Sequence, residues 1–424
     1  MRRLSLALLA LALTAVIAAL LIARLLFAPG PDAWSARLEL GPIGLDVDVP
    51  AALRLITSPR FAPWLAGRKI TSRFGKIRLD WDENAGLLTL QCAPCSLSLP
   101  ALGKMPIRVD RLQATVRREV DALSGSFAIA APGGDGEGAP IVLTGQWAGR
   151  LTAQDLRLDI RADTAPITHW YAALAPDLPE LRQARIGGTL GLSAEVTLPG
   201  GDYALTPQIT AFTVVGLGVE ALANTRSRCG PASGLSKNSW LARAVIAAED
   251  QRFFDHPGYD LDELAAALQT NHKAARIARG GSTITQQLAK LLVTGGERNS
   301  QRKLRELLYA VEMEQTLGKA RILTLYLDNA PWGERLCGAE MAARVYFKRP
   351  ARQLTPTQAV WLAAMLTNPA VAARQWQADG HIDIARATRV AKGVRGINRK
   401  QRTALVRRVT ATKFSPQGLV AGSR

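Results

Sequence analysis

The stretch AAEDQRFFDHPGYD, residues 247 to 260, contains residue types that could carry out acid-base chemistry. Glu249 and Asp250 are adjacent carboxylates at the end of an apolar run, and an aromatic residue and a histidine follow at Phe253 and His256. A carboxylate at the end of an apolar helix is partly desolvated, which raises its pKa and makes it a better general base. Because an isolated pair of this kind is more often a solvated helix end, its interpretation depends on the rest of the chain.

A second polar segment, RGGSTITQQLAK at residues 279 to 290, suits an anionic ligand. Gly280 and Gly281 allow a close backbone approach before a predicted helix start. Backbone N–H groups at a helix N-terminus, with hydroxyls and a lysine, suit a phosphate. A polar loop with a helix cap is an equal alternative for this segment alone. The polar side chains are those of Ser282, Thr283, Thr285, Gln286, Gln287 and Lys290.

A third segment, residues 297 to 323, places cations around two carboxylates. Glu306, Ala310 and Glu314 fall at i, i+4 and i+8, so they share one face of a helix. Ion pairing along an exposed helix is the ordinary explanation of such spacing. The combination of separated carboxylates, cation clusters and a hydroxyl-rich loop in one region favours a functional site instead. The cations are Arg298, Arg302, Lys303, Lys319 and Arg321.

These side chains must be positioned by helices. From Trp240 onward the apolar residues recur at helical spacing, as in Leu241, Ala244 and Val245. The pattern predicts a mainly α-helical domain over residues 216 to 410, followed by a basic tail at 411 to 424.

The preceding region, residues 28 to 215, has the period of two that is typical of half-buried antiparallel strands. Leu156, Leu158 and Ile160 alternate with charged residues, and glycine-rich breaks such as residues 132 to 138 separate the segments. A β-rich periplasmic domain of unknown role is therefore predicted, most simply a scaffold or interaction domain. It faintly resembles AsmA-like envelope proteins, and the alternation of apolar and polar residues is the basis of this resemblance.

The N-terminus predicts a membrane anchor within residues 1 to 27. Arg2 and Arg3 precede twenty uncharged residues, 4 to 23, which match the roughly 30 Å hydrocarbon core of a bilayer. The arginine pair predicts a cytoplasmic N-terminus, with the remainder of the chain on the periplasmic side of the inner membrane. A cleaved signal peptide is the alternative, but the apolar run exceeds the usual length of about 7 to 15 residues.

Charge and cysteines agree with a chain outside the cytoplasm. The formal net charge is +18, and residues 371 to 424 carry twelve Lys or Arg against two Asp. Such a surface favours an anionic partner, which could be nucleic acid, anionic lipid or a phosphorylated substrate.

Cys92 and Cys95 form a C-x-x-C without a second metal-binding pair, so a local disulfide is expected. Cys229 and Cys337 are expected to form a second one.

Taken in order, these segments resemble the peptidoglycan glycosyltransferases that polymerise lipid II, over roughly residues 240 to 370. The resemblance depends on five motifs. The motif E-D-x-x-F-x-x-H-x-G is matched by Glu249, Asp250, Phe253, His256 and Gly258, and G-S-T-I-T-Q-Q-L-x-K is matched by residues 281 to 290. The third motif, R-K-x-x-E followed by A-x-x-x-E, is matched by Arg302, Lys303, Glu306, Ala310 and Glu314. Residues 322 to 327 match I-L-x-x-Y-L, and residues 342 to 347, including Tyr346, match A-A-x-x-Y-F. Arg298 stands at the family's additional arginine position.

The resemblance implies a lysozyme-like helical domain and specific roles for its residues. Glu249 would be the general base, and Glu306 a second carboxylate that positions basic groups or a divalent ion. Substrate and diphosphate would be bound by Ser282, Thr283, Gln286, Gln287, Lys290, Arg298, Arg302, Lys303 and Lys319. Asp250, Phe253, His256, Gly258, Glu314 and Tyr346 would support the motifs. Mg²⁺ or Mn²⁺ would come with the substrate diphosphate, without a fixed protein site.

The partners implied are lipid II, the growing glycan chain, inner-membrane lipids and other cell-wall synthesis proteins, with no nucleic acid. An apolar helical stripe at Leu261, Leu264, Ala265 and Leu268, followed by His272, Lys273, Arg276 and Arg279, is predicted to lie at the bilayer interface.

Three positions depart from the family pattern. Leu291, Thr324 and Asp328 stand where the family usually has Asn, Glu and Asn, and they are expected to be supportive rather than catalytic. The only S-x-x-K, Ser300 to Lys303, lies inside a glycosyltransferase motif and no K-T-G occurs, so a monofunctional enzyme is expected. A lytic transglycosylase and a non-catalytic envelope lipid-binding or scaffold protein are the alternatives.

Overall fold

The computed structural model describes residues 35–40, 43–72, 75–97, 107–131, 140–200, 202–273, 279–295, 301–380, 382–412 and 414. Contacts divide the chain into two compact units. The described residues of the first unit fall within 35–97, 107–176 and 189–210, and those of the second within 177–188 and 211–414.

The first unit is built on antiparallel strands. In chain order they are β1 Ser35–Leu40, β2 Ile43–Asp48, β3 Lys69–Ser72, β4 Gly75–Asp82, β5 Leu87–Leu97, β6 Ile107–Val109, β7 Arg111–Glu119, β8 Ala122–Ala131, β9 Ile141–Leu151, β10 Leu156–Pro166, β11 Arg185–Leu198 and β12 Asp202–Val215. Within the described ranges, β3 to β12 form a ten-stranded sheet in the order β12-β11-β10-β9-β8-β7-β5-β4-β3, with β6 beside β5. Residues 185–188 of β11 and 211–215 of β12 are grouped with the second unit.

One face of the sheet is covered and the opposite face is exposed, because successive residues of a strand point to opposite sides. In β9, Leu143 and Leu151 are buried whereas Gln146 is exposed. Leu151 packs in a cluster to which Leu53 of helix α1 (Val49–Ile56) contributes. Leu143 packs against Trp170, which lies on helix α3 (Ile167–Leu174); α2 is the short helix Ala62–Leu65. The sheet therefore has one apolar and one polar face.

The second unit is helical. Its helices are α4 Trp240–Glu249, α5 Leu261–Lys273, α6 Ile284–Ala289, α7 Arg302–Thr316, α8 Gly318–Asn329, α9 Ala339–Phe347, α10 Pro356–Met365, α11 Pro369–Asp379, α12 Ile384–Gly393 and α13 Arg399–Ala411. Much of its core is aromatic: Trp376 is fully buried, stacks on Tyr346 at 4.9 Å between ring centroids and meets Trp361 edge-on at 5.5 Å. The predicted succession of a β-rich region and a helical domain is confirmed.

Several predicted features lie outside the described residues. They are the membrane anchor within residues 1 to 27, the glycine-rich break at 132 to 138, Arg276, Arg298 and most of the tail at 411 to 424. No helix in the described ranges has the length and apolar character needed to cross a membrane. The structure contains both expected disulfides, Cys92–Cys95 and Cys229–Cys337.

Candidate active site

Glu249 is the last residue of α4, whose apolar face buries Leu241, Ala244 and Val245. The helix thereby carries the carboxylate to the edge of the core, where its side chain is 11% exposed. Burial raises the pKa of Glu249, and the charge of Arg386 together with a hydrogen bond from Gln287 opposes part of that rise. The group is thus a carboxylate with an increased affinity for a proton, which is the property of a general base.

Both oxygens of Glu249 are held. Arg386 NH2 donates to Oε1 at 2.7 Å, and Gln287 Nε2 donates to Oε2 at 3.0 Å. Gln287 Oε1 in turn accepts a hydrogen bond from the buried Tyr326 hydroxyl at 2.8 Å. Because the Tyr326 O–H fixes which end of the Gln287 amide donates, the carboxylate of Glu249 has a defined orientation.

Asp250 has a different environment from its neighbour. It is buried, and its carboxylate accepts from His256 Nε2 at 3.0 Å and from the backbone N–H of Ile284 at 2.9 Å. Since His256 Nδ1 accepts from the N–H of Gly258, the proton of the neutral ring is on Nε2 and points at Asp250. Asp250 therefore joins the loop after α4 to the start of α6.

Gly258 is required by its position in this loop. Its φ is +95°, and a Cβ atom there would lie 2.9 Å from both the Ala310 carbonyl oxygen and Glu314 Cγ. The loop consequently packs directly on the backbone of α7. Phe253 is fully buried beside it, with Lys319 Nζ 4.4 Å from its ring centroid.

The second predicted segment connects the two carboxylates. Gln287 reaches Glu249, as described above, and the hydroxyl of Ser282 accepts from Lys303 Nζ at 2.6 Å. Lys303 also pairs with Glu306 at 2.8 Å. Gln287 therefore contacts Glu249, and Ser282, five positions earlier, contacts the lysine that pairs with Glu306. One short segment thus links the two carboxylates.

The start of α6, which was predicted to suit a phosphate or to form a helix cap, makes several hydrogen bonds within the protein. The N–H of Ile284 donates to Asp250, and the N–H of Gln286 donates to the Thr283 hydroxyl in a capping box that also uses the Gln286 side chain. Thr283 is buried and its hydroxyl donates to the Gly258 carbonyl. Thr283, Gln286 and Gln287 thus have hydrogen-bond partners within the protein, and their contact with substrate stays a prediction.

The cations predicted to bind a diphosphate gather around α7. Glu306 is 1% exposed and pairs with Lys303 at 2.8 Å and Arg302 NH1 at 3.4 Å. Glu314, about two turns further along the same face of α7, pairs with Lys319 at 2.8 Å and accepts from the Thr285 hydroxyl. Lys303, Arg302 and Lys319 remain between 21% and 35% exposed. These buried carboxylates hold three cations with part of each side chain open to a ligand.

Lys290 is exposed and follows α6, at the start of a π-helical turn, Lys290–Thr294. Arg298 lies outside the described residues. In the predicted interfacial helix α5, Leu261, Leu264, Ala265 and Leu268 are partly exposed. The side chains of His272 and Lys273 lie outside those described, and Arg279 pairs with Glu263 at 2.6 Å.

The other side of α7 is held by two segments that precede residue 221. Arg305 pairs with Glu180 at 2.7 Å, and Glu180 is buried. The carboxylate of Glu312 accepts from the N–H groups of Gly216 and Leu217, each at 2.9 Å. Burial raises the pKa of Glu312, and these two backbone hydrogen bonds oppose the rise. The helix that carries Arg302 and Glu306 is thus fixed by contacts on its opposite face.

The three departures from the family pattern occupy supporting positions. Asp328 is buried, and its carboxylate accepts from both the N–H and the hydroxyl of Ser233. The Thr324 hydroxyl donates to the Ala320 carbonyl of its own helix. Leu291 is 38% exposed on the π-helical turn. Tyr346, from the last motif, is buried and donates to the Trp332 carbonyl at 2.7 Å.

Arg386 is the residue that sequence reasoning missed. It lies on α12, 137 residues from Glu249, within the basic segment that was interpreted as a surface for an anionic partner. Its Nε donates to the Ala364 carbonyl at 3.0 Å, so the guanidinium is anchored at the end of α10 as well. The only local signal is that a cation stands one residue before the buried Ala387 on a short amphipathic helix.

An oriented, nearly buried carboxylate is thus connected to a helix whose cations are partly exposed, an arrangement that fits a transferase acting on an anionic donor. The transglycosylase family model matches residues 221–394. A biosynthetic peptidoglycan transglycosylase from Thiobacillus denitrificans is 44% identical over 167 residues, covering 38% of this chain and 71% of that protein. The chain belongs to the family of biosynthetic peptidoglycan transglycosylases.

Two further relatives carry the same name. The Chromobacterium violaceum protein is 44% identical over 168 residues, which cover 40% of this chain and 72% of the relative. The Nitrosomonas eutropha protein is 48% identical over 129 residues, which cover 30% of this chain and 53% of the relative. The chain therefore spans about half to three quarters of the length of these relatives.

Replacing Arg386 is expected to change the pH dependence of activity. In Arg386→Met the cation that lowers the pKa of Glu249 is lost, so the pKa rises further. Since the base acts only when deprotonated, the acid limb of kcat/KM against pH should move to higher pH. The loss of orientation should add a decrease on the order of 10²-fold in kcat.

The matched control is Arg389→Met, because Arg389 is exposed on the same helix. It should leave both the limb and kcat unchanged. An Arg386→Met profile with its acid limb at the wild-type pH would contradict the electrostatic role of Arg386.

The Glu180–Arg305 pair gives a stability prediction. Arg305→Met leaves Glu180 buried without its partner, which should lower the free energy of unfolding by about 3–5 kcal/mol. The double variant Glu180→Met/Arg305→Met removes both charges and should recover most of that loss, since replacing a whole buried pair is often neutral. Chemical denaturation followed by circular dichroism measures both.

An exposed pair provides the comparison. Arg374 and Glu334 are 61% and 70% exposed, so Arg374→Met should cost less than about 1 kcal/mol. A double variant as unstable as Arg305→Met alone would show that packing, and not the uncompensated charge, accounts for the loss.

Proposed function

We propose that this protein polymerises lipid II into β-1,4-linked glycan strands. The C4 hydroxyl oxygen of the incoming GlcNAc forms a bond to the anomeric carbon of the growing chain's MurNAc. The bond from that carbon to the diphosphate breaks, its electron pair leaves with undecaprenyl diphosphate, and the anomeric configuration inverts. Glu249 takes the hydroxyl proton.

The observation that carries the proposal is the oriented carboxylate of Glu249. Its side chain is 11% exposed, so a hydroxyl group can approach an otherwise desolvated base. Arg386 and Gln287 hold it by hydrogen bonds of 2.7 and 3.0 Å, which supports a role that depends on a defined direction of proton transfer. The raised pKa supports efficient proton abstraction near neutral pH.

The departing diphosphate needs positive charge. Arg302, Lys303 and Lys319 would supply it, with Lys290 from the exposed end of α6. Preorganised cations stabilise charge that develops during bond breaking, because they require no reorganisation at that moment. Glu306 and Glu314 position these cations, so Glu306 acts through Arg302 and Lys303.

A divalent cation bound with the substrate diphosphate forms part of the proposal. Among the described residues there is no group of three or more acidic, histidine or cysteine side chains that could hold a metal ion. Glu306 Oε1 is buried and has no hydrogen-bond partner, although Arg302 lies 3.4 Å away, so Glu306 would hold the ion by one carboxylate. This fits Mg²⁺, which commonly uses one or two carboxylates plus substrate phosphates. The ion would neutralise diphosphate charge.

Peptidoglycan synthesis implies a location in the cell envelope. We infer the finer arrangement from the sequence: a single-pass inner-membrane protein with a cytoplasmic N-terminus and a periplasmic catalytic domain. The uncharged run at residues 4 to 23 supports the anchor, and the two disulfides fit an oxidising compartment. A lysozyme-like arrangement of the helical domain and contacts with other cell-wall synthesis proteins belong to the same proposal.

The direct test is polymerisation of labelled lipid II by the purified full chain with Mg²⁺ in detergent, followed by separation of the products. Wild type should form glycan polymer, and Glu249→Gln should reduce the rate by at least about 10²-fold because the base is lost. Full activity of Glu249→Gln would remove the assignment of the base.

The control variant is Glu334→Gln, which changes an exposed carboxylate of the same unit and should polymerise like wild type. Incubation with cell-wall sacculi is the companion assay. Solubilised sacculi without polymer formation from lipid II would favour a lytic transglycosylase instead.

Chelation tests the divalent cation. EDTA should lower the wild-type polymerisation rate by about tenfold or more, and excess Mg²⁺ should restore it, since the ion shares the diphosphate charge. In Glu306→Gln the dependence on Mg²⁺ should weaken because a neutral amide replaces the anionic carboxylate that would hold the ion. An EDTA-insensitive wild type would refute this part of the proposal.

A further inference from the structure

The exposed face of the ten-stranded sheet contains a cavity of about 800 Å³. Side chains of β5, β7, β8, β9 and β10 line it, and all of them belong to the first unit. This region precedes residues 221–394, so the family match does not include it. The cavity is called the sheet groove below.

A row of polar side chains crosses the sheet through this groove. The pairs Ser126–Gln146, Gln146–Arg161 and Arg161–Ser193 are directly opposite in register on β8 to β11. On β7 the Thr115 hydroxyl accepts from the N–H of Ser126 at 2.8 Å, which extends the row by one strand. Neighbouring strands lie roughly 4.8 Å apart, comparable to the length of one linked pyranose ring. The row therefore repeats at about the interval of the sugars in a glycan chain.

Gly125 borders the groove through its backbone, because it alternates with Ser126 and the side chain that it lacks would belong to the covered face. A Cβ atom at this position would overlap the Thr115 carbonyl and lie 2.9 Å from Trp147 Nε1. Gly125 and Trp147 are opposite each other in the β8–β9 register. Trp147 likewise borders the groove, but it packs against Leu123, Leu151 and Leu156 on the covered face.

The groove carries a net positive charge. Arg117 and Arg161 line it together with one carboxylate, Asp159. Arg161 is exposed, and within the described part of the chain no carboxylate lies within 4.0 Å of its guanidinium nitrogens. Arg117 donates to the Ala85 carbonyl at 3.2 Å, which leaves other guanidinium N–H groups for a ligand. Planar guanidinium groups bind carboxylates in bidentate fashion.

We propose that the sheet groove binds a glycan chain whose substituents carry carboxylates, with sugars over successive strands and a carboxylate at Arg161. The hydroxyl and amide row matches sugar hydroxyls, and the two arginines match the acidic groups. The choice of peptidoglycan as this glycan rests on the proposed function. The site itself rests on the groove alone.

The test uses the full chain carrying Glu249→Gln, so that binding is measured without turnover. Soluble, uncross-linked peptidoglycan strands are titrated by isothermal calorimetry, either untreated or after carbodiimide coupling to ethanolamine has converted their carboxylates into neutral amides. Intact strands should bind, and Arg161→Ala should weaken binding about tenfold because a charge-assisted pair is lost. Neutralising the carboxylates should weaken binding to the Arg161-containing chain to a similar extent, and Arg161→Ala should then have little further effect.

Arg157→Ala is the matched control. Arg157 is exposed on β10, four residues before Arg161, so the two side chains lie on the same face of the sheet. Arg157 does not line the groove. It should bind like the parent chain. Equal losses in Arg157→Ala and Arg161→Ala, full competition by polyglutamate, or no binding of intact strands would each overturn the proposal.

The outcomes separate the two proposals. Lipid II polymerisation by wild type together with absent strand binding would refute the sheet groove and leave the transferase assignment in place. Strand binding that depends on Arg161, in a chain that does not polymerise lipid II, would refute the transferase assignment alone. Circular dichroism of each variant shows that Arg161→Ala retains the strand content of the parent.

Discussion

Burying a carboxylate that must remain able to take a proton is the constraint on which the site depends. A desolvated carboxylate without compensation would be neutral at physiological pH and useless as a base. Glu249 is compensated by one cation, Arg386, and one neutral donor, Gln287. The cation opposes the effect of burial without cancelling it, because the pKa of Glu249 is still raised. The carboxylate that we propose as the base is thereby oriented, partly exposed and raised in pKa.

Supplying these two donors requires elements far apart in the chain. Arg386 comes from α12 and is anchored on α10, whereas Gln287 comes from α6 and is oriented by Tyr326 of α8. Asp250 ties the loop after α4 to α6, so the adjacent carboxylates divide two tasks between them. Asp250 is fully used in positioning, which leaves Glu249 as the member of the pair that can meet a substrate.

The sequence predicted the parts of the site that depend on local spacing. Glu249 at a helix end, the cations around Glu306, and the need for Gly258 all follow from patterns within a few helical turns, and so do the two fold classes. The roles of Thr283 and Gln286 could not be separated by residue type, because a helix cap and a phosphate cradle use the same groups. The structure places them in a capping box.

Arg386 could not be predicted because its partner lies 137 residues away and its own segment is rich in arginine. The composition shows that this segment is positively charged, but it does not show which of its arginine side chains is directed into the protein. The decisive features are the N-cap at Asp383, which starts α12, and the packing of Ala387 and Val390, which orients it. The N-cap and the packing direct Arg386 toward Glu249 only in the folded tertiary structure.

The structural limits of the transferase unit also differ from the limits of the family match. The match begins at residue 221, yet Glu312 accepts hydrogen bonds from Gly216 and Leu217, and Arg305 pairs with Glu180. If residues 177–188 and 211–217 were absent, Glu312 would lose two N–H donors and Arg305 its counter-ion, on the very helix that carries Arg302 and Glu306. A buried carboxylate that loses its hydrogen-bond donors lowers the stability of the folded state. These segments are therefore as much a part of the environment of α7 as the matched residues. Helix α7 is consequently held from both faces, by the matched residues on one side and by residues that precede the match on the other.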